Sequence, residues 1–221
     1  MAEVAETVKM PRIVYIDENE DARSNFFTDA YQSGFFAEVY ILAPEPTLTQ
    51  MVEKLFELQI DAVISDFQLT DAGPVDYTGE ILVDAILAKR ADFPCFIQTS
   101  FDEAALKAAD DVNRVYSKVG DRTQFMKRVV IQIEHHQARL AAWHAELEGL
   151  LAIDRKALTA VQVERIIELD EAIEENMGLD DRLARQVKRD VLKEQDLYGL
   201  HRELMEKTEA LIARMRSALD D

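Results

Sequence analysis

The chain of 221 residues has a single cysteine, Cys95, so no internal disulfide can form, as expected in a reducing compartment. Cys95 lies in Phe93-Pro94-Cys95-Phe96-Ile97 with no histidine nearby in sequence, and it reads as a buried, inert thiol rather than a catalytic one. No apolar run approaches the ~18–20 residues that a membrane span needs. The opening Met1-Ala2-Glu3-Val4-Ala5-Glu6 is acidic and lacks the apolar stretch of a signal peptide. Basic residues are scarce: 25 Lys and Arg stand against 43 Asp and Glu, a formal charge of −18. The deficit is deepest in residues 1–120 (9 basic, 22 acidic), but residues 121–221 (16 basic, 21 acidic) hold no basic stripe either. Such a surface repels phosphate backbones and anionic headgroups, which argues against nucleic acid and membrane as partners. These absences give the expectation of a soluble, cytoplasmic protein.

Apolar residues make up 48% of the chain, enough for a sizeable core in one domain with an extension or in two small domains. Up to about residue 120, short apolar runs alternate with helical patterns. Strands are expected at Arg12–Ile16, Ala37–Leu42, Ala62–Ser65, Phe96–Thr99 and Arg114–Ser117. Helices are expected at Glu20–Ser33, stopped by Gly34, at Leu48–Leu58, at Gly79–Lys89 and at Asp102–Ala109. Five strands alternating with helices at this spacing predict an α/β fold with a doubly wound, five-stranded parallel sheet. The strands are almost continuously apolar, as both covered faces of such a sheet require.

After Gly120 proline, glycine and strand-like runs nearly vanish. Met126, Val129, Ile133, His136, Leu140, Trp143, Leu147 and Leu150 recur at spacings of three and four, the seam of a coiled coil or a bundle helix. A second helix is expected from a cap at Asp154 to about Asn176, with Gly178 as its stop. A third is expected from Asp180 to near Ala218, with Leu183, Val187 and Val191 on its apolar stripe. The division expected is therefore residues 10–130 and an all-α, coiled-coil or bundle region, 131–221, continuous with the last helix of the first domain.

In a parallel sheet the strand ends gather on one edge, where open α/β folds place their ligand sites. Asp17 and Glu18 end the first strand, Asp66 the third, Thr99 the fourth and Lys118 the last. Acids, a hydroxyl and a lysine at one edge suit a hard cation and a phosphoryl group. In that arrangement Asp66 is the phosphoacceptor. Asp17, Glu18, Asp66 and the backbone carbonyl of Gln68 are the candidate ligands of Mg²⁺. Lys118 is a mobile point charge, and Thr99 donates its hydroxyl to a phosphoryl oxygen. Asp17 and Glu18 can also favour the N-terminus of the following helix, and Glu20 and Asp21 read as its capping residues.

Residues 12 to about 130 resemble a receiver domain of a two-component response regulator. Arg12-Ile13-Val14-Tyr15-Ile16-Asp17-Glu18 matches the acidic pair after the first strand, and Val63-Ile64-Ser65-Asp66-Phe67 the phosphoacceptor strand. Phe96-Ile97-Gln98-Thr99-Ser100 matches the switch hydroxyl, and Tyr116-Ser117-Lys118 the lysine. The resemblance implies a flavodoxin-like fold, phosphorylation of Asp66 by a histidine kinase or a phosphotransfer protein, and Mg²⁺ dependence. It implies a phosphoacceptor rather than an enzyme, beyond self-catalysed phosphorylation and dephosphorylation. Three features depart from the pattern: Val119 stands where receivers carry proline, the stretch from Asp66 to Gly79 is long, and the switch aromatic falls at Val115 with Tyr116 one place later.

With a helical region in place of a DNA-binding domain, output is expected through a downstream protein partner or through a homodimer. Two other readings stay open: a receiver-fold interaction or dimerisation module that works without phosphate, and a phosphorelay intermediate or phosphate sink. His135, His136 and His144 raise the idea of a phosphotransfer histidine on a bundle. His136 falls on the seam, however, and Ala145-Glu146-Leu147-Glu148-Gly149 matches a phosphotransfer box only loosely, so they are read as seam or surface histidines.

Overall fold

The computed structural model describes residues 10–70, 75–100, 112–154, 157–177 and 184–193. The elements are β1 (Arg12–Ile16), α1 (Glu20–Ser33), β2 (Glu38–Leu42), α2 (Leu48–Glu57), β3 (Ala62–Asp66), α3 (Gly79–Lys89), β4 (Cys95–Thr99), a 3₁₀ turn (Val112–Arg114), β5 (Val115–Ser117), α4 (Arg122–Leu151), α5 (Ala160–Met177) and α6 (Arg185–Lys193). The expected helix at 102–109 and the third helix beyond residue 193 lie outside the described residues. No described helix is long and apolar enough to cross a membrane. Two compact units divide the chain, one ending at Gln137 and the other beginning at Ala138, so the division falls inside α4 and past residue 130.

All four strand pairings are parallel and the sheet order is β2-β1-β3-β4-β5. This is the flavodoxin-like order, the fold of receiver domains, and its direction reverses between β1 and β3. The period of two along each strand sorts side chains to two faces. Val14, Ile16, Val63, Cys95 and Ile97 pack with Met51, Val52 and Leu55 of α2 and with Leu82, Val83 and Ile86 of α3. Ile13, Tyr15, Ala62, Ile64 and Phe96 pack with Phe26 and Ala30 of α1 and with Phe125, Met126, Val129 and Ile133 of α4. The central strands β3 and β4 are buried at every position, while the edge strands β2 and β5 are partly open. Each large aliphatic side chain so buried contributes about 1.5–3 kcal/mol.

Local chemistry sets the helix ends. Asn19 caps α1 by accepting from the Ala22 N–H, so Glu20 and Asp21 fall in the first turn and are not the caps expected. Gly34 closes α1 at φ 67°, a left-handed conformation that glycine adopts without a Cβ penalty. Thr47 and Thr78 cap α2 and α3. On α3, Leu82, Val83 and Ile86 face the core while Ile81 is 44% exposed.

In the second unit Leu147, Ile166, Leu169 and Ile173 form the core, with Trp143, Leu150, Leu158, Met177 and Leu192 packed around it. α5 begins at Ala160 rather than after Asp154, because the Thr159 hydroxyl accepts from the Gln162 N–H and its carbonyl from the Val163 N–H. On α6 the expected stripe residue Val187 is exposed, and Lys188 is buried instead between Asp170 and Glu174 of α5. Arg189 holds Glu164 with two parallel bonds of 2.7 and 2.8 Å. The α5–α6 contact is therefore largely ionic.

Candidate functional site: an acidic cluster at the carboxyl edge of the sheet

β1 and β3 are neighbours with Ile16 opposite Ser65, so the residues that follow them, Asp17 and Asp66, come together at the point where the strand order reverses. β3 and β4 pair Asp66 with Gln98, and β4 and β5 pair Thr99 with Ser117, which brings Thr99 and Lys118 to the same edge. The Lys118 N–H donates to the Thr99 carbonyl at 2.9 Å. Its ammonium lies between two acids, 2.7 Å from Asp17 Oδ2 and 2.9 Å from Asp66 Oδ1. Asp17 is fully buried, Asp66 is 6% exposed and Thr99 1% exposed. Gln68 lies two residues past Asp66 in the half-buried loop that follows β3.

Asp17 is held from several sides. The Tyr15 hydroxyl donates to its Oδ2 at 2.5 Å, and the Asn19 N–H donates to its Oδ1 at 2.9 Å. The Arg23 guanidinium donates to its main-chain carbonyl at 2.7 Å. Glu18 is different: its Oε2 is buried and has no hydrogen-bond partner among the described residues. An oxygen taken from water with no donor in return is costly, and a cation is the kind of group that offsets it.

Burial pushes the Glu18 carboxyl up to about 7, with the charges of Asp17 and Asp66 adding to the effect and Lys118 opposing it. Burial also raises the Asp66 carboxyl above its ordinary range, against the hydrogen bond and charge of Lys118. For Lys118, burial disfavours the charged form, but the two carboxylates outweigh it and hold the ammonium above its ordinary value. Burial, then the Asp17 charge, drives the Tyr15 hydroxyl upward, so it serves as a donor.

One oxygen each from Asp17, Glu18 and Asp66 lie within 4.8 Å of one another. Three carboxyl groups face a single ammonium, so negative charge is left over, and the donors are all oxygen. That set suits a hard divalent cation such as Mg²⁺.

The backbone behind Asp66 is closely packed. A Cβ at Gly79 would lie 1.9 Å from the Asp66 carbonyl oxygen and 2.9 Å from Ser65 Oγ. The Gly79 N–H donates to the Phe67 carbonyl at 2.9 Å, and Ser65 Oγ donates to the Asp66 carbonyl at 2.8 Å. Tyr116 is half-buried, its ring 5.1 Å from that of Phe125 and 5.9 Å from that of Phe96. Val115 fills the preceding position, with Val119 85% exposed beyond the lysine. Cys95 is buried, and burial pushes its thiol up to about 12, which keeps it inert. His136 is buried edge-on to Phe93, with ring centroids 6.2 Å apart, and belongs to the packing of α4.

The sequence reading missed Tyr15, Asn19, Arg23 and Gly79. For Tyr15 the signal was available, since a residue two places before an acid on a strand shares its face. For Gly79 there was none, because the approach it permits is tertiary.

No family model matches the chain, and no curated protein sequence does. Solved structures similar to it include receiver domains and a response regulator. The beryllofluoride-activated NtrC4 receiver domain dimer is 18% identical, with a TM-score of 0.41 over 56% of this chain and 97% of that one. A signal receiver domain of an HD domain-containing protein from Pseudomonas fluorescens Pf-5 is 17% identical, with a TM-score of 0.48 over 62% of this chain and 97% of that one. The response regulator PhyR from Brucella abortus is 18% identical, with a TM-score of 0.43 over 60% of this chain and 51% of that one.

Proposed function

We propose that this chain is a response-regulator-like signalling protein that accepts a phosphoryl group on Asp66 from a histidine kinase or phosphotransfer protein. The observation that carries the reading is Lys118 Nζ set between Asp17 Oδ2 and Asp66 Oδ1, beside a Glu18 oxygen that has no hydrogen-bond partner among the described residues. In the proposed step an Asp66 carboxylate oxygen forms a bond to phosphorus. The bond between phosphorus and the donor's imidazole nitrogen breaks, its electron pair leaving with the imidazole. Phosphoryl transfer needs little beyond position and charge compensation. Mg²⁺, held by Asp17, Glu18, Asp66 and the Gln68 carbonyl, would supply the compensation. Lys118 is then the mobile charge that passes from Asp66 to a phosphoryl oxygen, and Thr99 the hydroxyl donor at the neighbouring strand end. On this reading the protein is a phosphoacceptor and not an enzyme acting on a separate substrate.

Output is proposed to pass through the helical region, by a downstream protein partner or by homodimerisation, in a soluble cytoplasmic setting. The test is incubation with acetyl phosphate and Mg²⁺, followed by intact-mass measurement of the wild type and Asp66→Ala. The wild type gains one phosphoryl mass and the variant none; a wild type that stays unmodified sinks the proposal. Light scattering on the same samples at low concentration reads the assembly, and a monomer in both states removes the homodimer from the reading.

A further inference from the structure

Asp17 presents about four lone-pair directions, and three carry donors: Tyr15 and Lys118 on Oδ2, the Asn19 N–H on Oδ1. The three are unlike in kind. The Asn19 N–H is main chain at the cap of α1 and is fixed by the helix. Lys118 is shared with Asp66 at 2.9 Å on a flexible stem, so it does not by itself fix the Asp17 carboxylate. Tyr15 is the side chain that is both donor and immobile. It is 2% exposed and its ring lies flat on Phe26, with centroids 3.9 Å apart and planes 6° from parallel. It belongs to the core formed by the sheet, α1 and α4, so the hydroxyl is delivered to Asp17 from a packed wall.

We propose that Tyr15 is a positioning residue for the acidic site, its buried hydroxyl fixing the rotation of the Asp17 carboxylate so that a divalent cation meets a preset oxygen while Lys118 remains free to move. The inference rests on the reading of Asp17 as a cation ligand. Without the hydroxyl, Oδ2 keeps only the shared lysine, and the fixed hold on the carboxylate is left to the Asn19 N–H at Oδ1 alone. Partners that orient a metal's ligands in this way are worth about 10–100-fold in metal affinity.

The test is Tyr15→Phe, which keeps the ring and its stack on Phe26 and removes one oxygen. The full chain is titrated with Mg²⁺ alone by calorimetry, with no phosphoryl donor present. We expect the variant to bind Mg²⁺ about tenfold more weakly. Wild type is also expected to show a tyrosine ultraviolet difference band on Mg²⁺ addition that Tyr15→Phe lacks, a signal that a mere loss of stability would not produce. An affinity within twofold of wild type, or a band that survives in the variant, overturns the role of Tyr15. Should Tyr15→Phe not fold, the wild type decides the matter: Mg²⁺ binding with no tyrosine band overturns the proposal. Because the readout uses Mg²⁺ alone, a chain that binds Mg²⁺ but takes no phosphoryl mass sinks the Asp66 reading. Phosphoryl uptake with unchanged affinity in Tyr15→Phe sinks only the role of Tyr15.

Discussion

Glu18 is the residue at which the acidic cluster is least satisfied, with Oε2 buried and without a donor among the described residues and the carboxyl pushed up to about 7. The sign of its effect on stability follows from proton binding. Between the ordinary carboxylate range and about pH 7, the folded chain holds a proton on Glu18 that the unfolded chain has released. Stability contributed by this group is therefore fully present at the acid end of that window and is lost as pH rises through about 7. A divalent cation that takes the ionised oxygen reverses the penalty. Thermal unfolding across the window should show Mg²⁺ raising the midpoint more at the neutral end than at the acid end, with the pH dependence of that gain reduced in Glu18→Gln. A Mg²⁺ effect independent of pH would contradict this. At the same scale, the candidate acids and the lysine were legible because each closes an apolar run, and parallel strands end together. Tyr15 shares a face with Asp17 by the period of two, but an aromatic in a strand also reads as ordinary core, so the pattern alone gave its hydroxyl no role. Gly79 was hidden because a glycine at the start of a helix does not announce that a carbonyl lies 1.9 Å from where its Cβ would be.

α4 shows what an element's sequence pattern can and cannot say. Of its eight seam residues, Met126, Val129, Ile133, His136 and Leu147 are 5% exposed or less, while Leu140, Trp143 and Leu150 are partly buried. The partner along that line changes, however. Met126, Val129 and Ile133 pack against the sheet, and Leu147 packs against α5. A spacing of three and four specifies an apolar stripe and is silent about whether a sheet, a helix of the same chain or a second chain covers it. The part of the seam on the sheet is thereby closed to a second chain. Ile131 lies off the stripe and is 49% exposed, whereas Ile133 is 1% exposed. Ile133→Ala should cost about 2–5 kcal/mol in denaturant unfolding, and Ile131→Ala under about 0.5 kcal/mol. Equal costs would deny that the sheet is the partner. The α5–α6 pair shows the complementary limit: an apolar-stripe argument places Val187 inward, but burial of Lys188 between two acids rotates the choice by one residue. Charged pairing of that kind leaves no periodic trace.

At the scale of the whole chain, acidity and architecture have separate causes. The excess of 43 acids over 25 bases sets the sign of the surface field, while the fold follows from which apolar residues the sheet and helices exclude from water. Each unit has its own core, and the fold class was readable because both cores obey their periods. The place where one unit ends was not readable, because neither proline nor glycine nor a change of pattern marks it. It is marked by Ile133, the last aliphatic side chain of α4 in the core of the sheet. The boundary can be measured by cutting. A fragment of residues 10–137 is expected to run as a single species on size exclusion and to bind Mg²⁺ with the affinity of the full chain. A fragment ending at residue 130 loses Ile133 from the core over that face of the sheet and is expected to be less stable and to aggregate. Equal behaviour of the two fragments would place the boundary elsewhere. A joint made by evolution or by hand to exchange the helical region for another module must therefore fall in mid-helix, because the first unit closes its sheet with turns of a helix whose remaining length serves a different core.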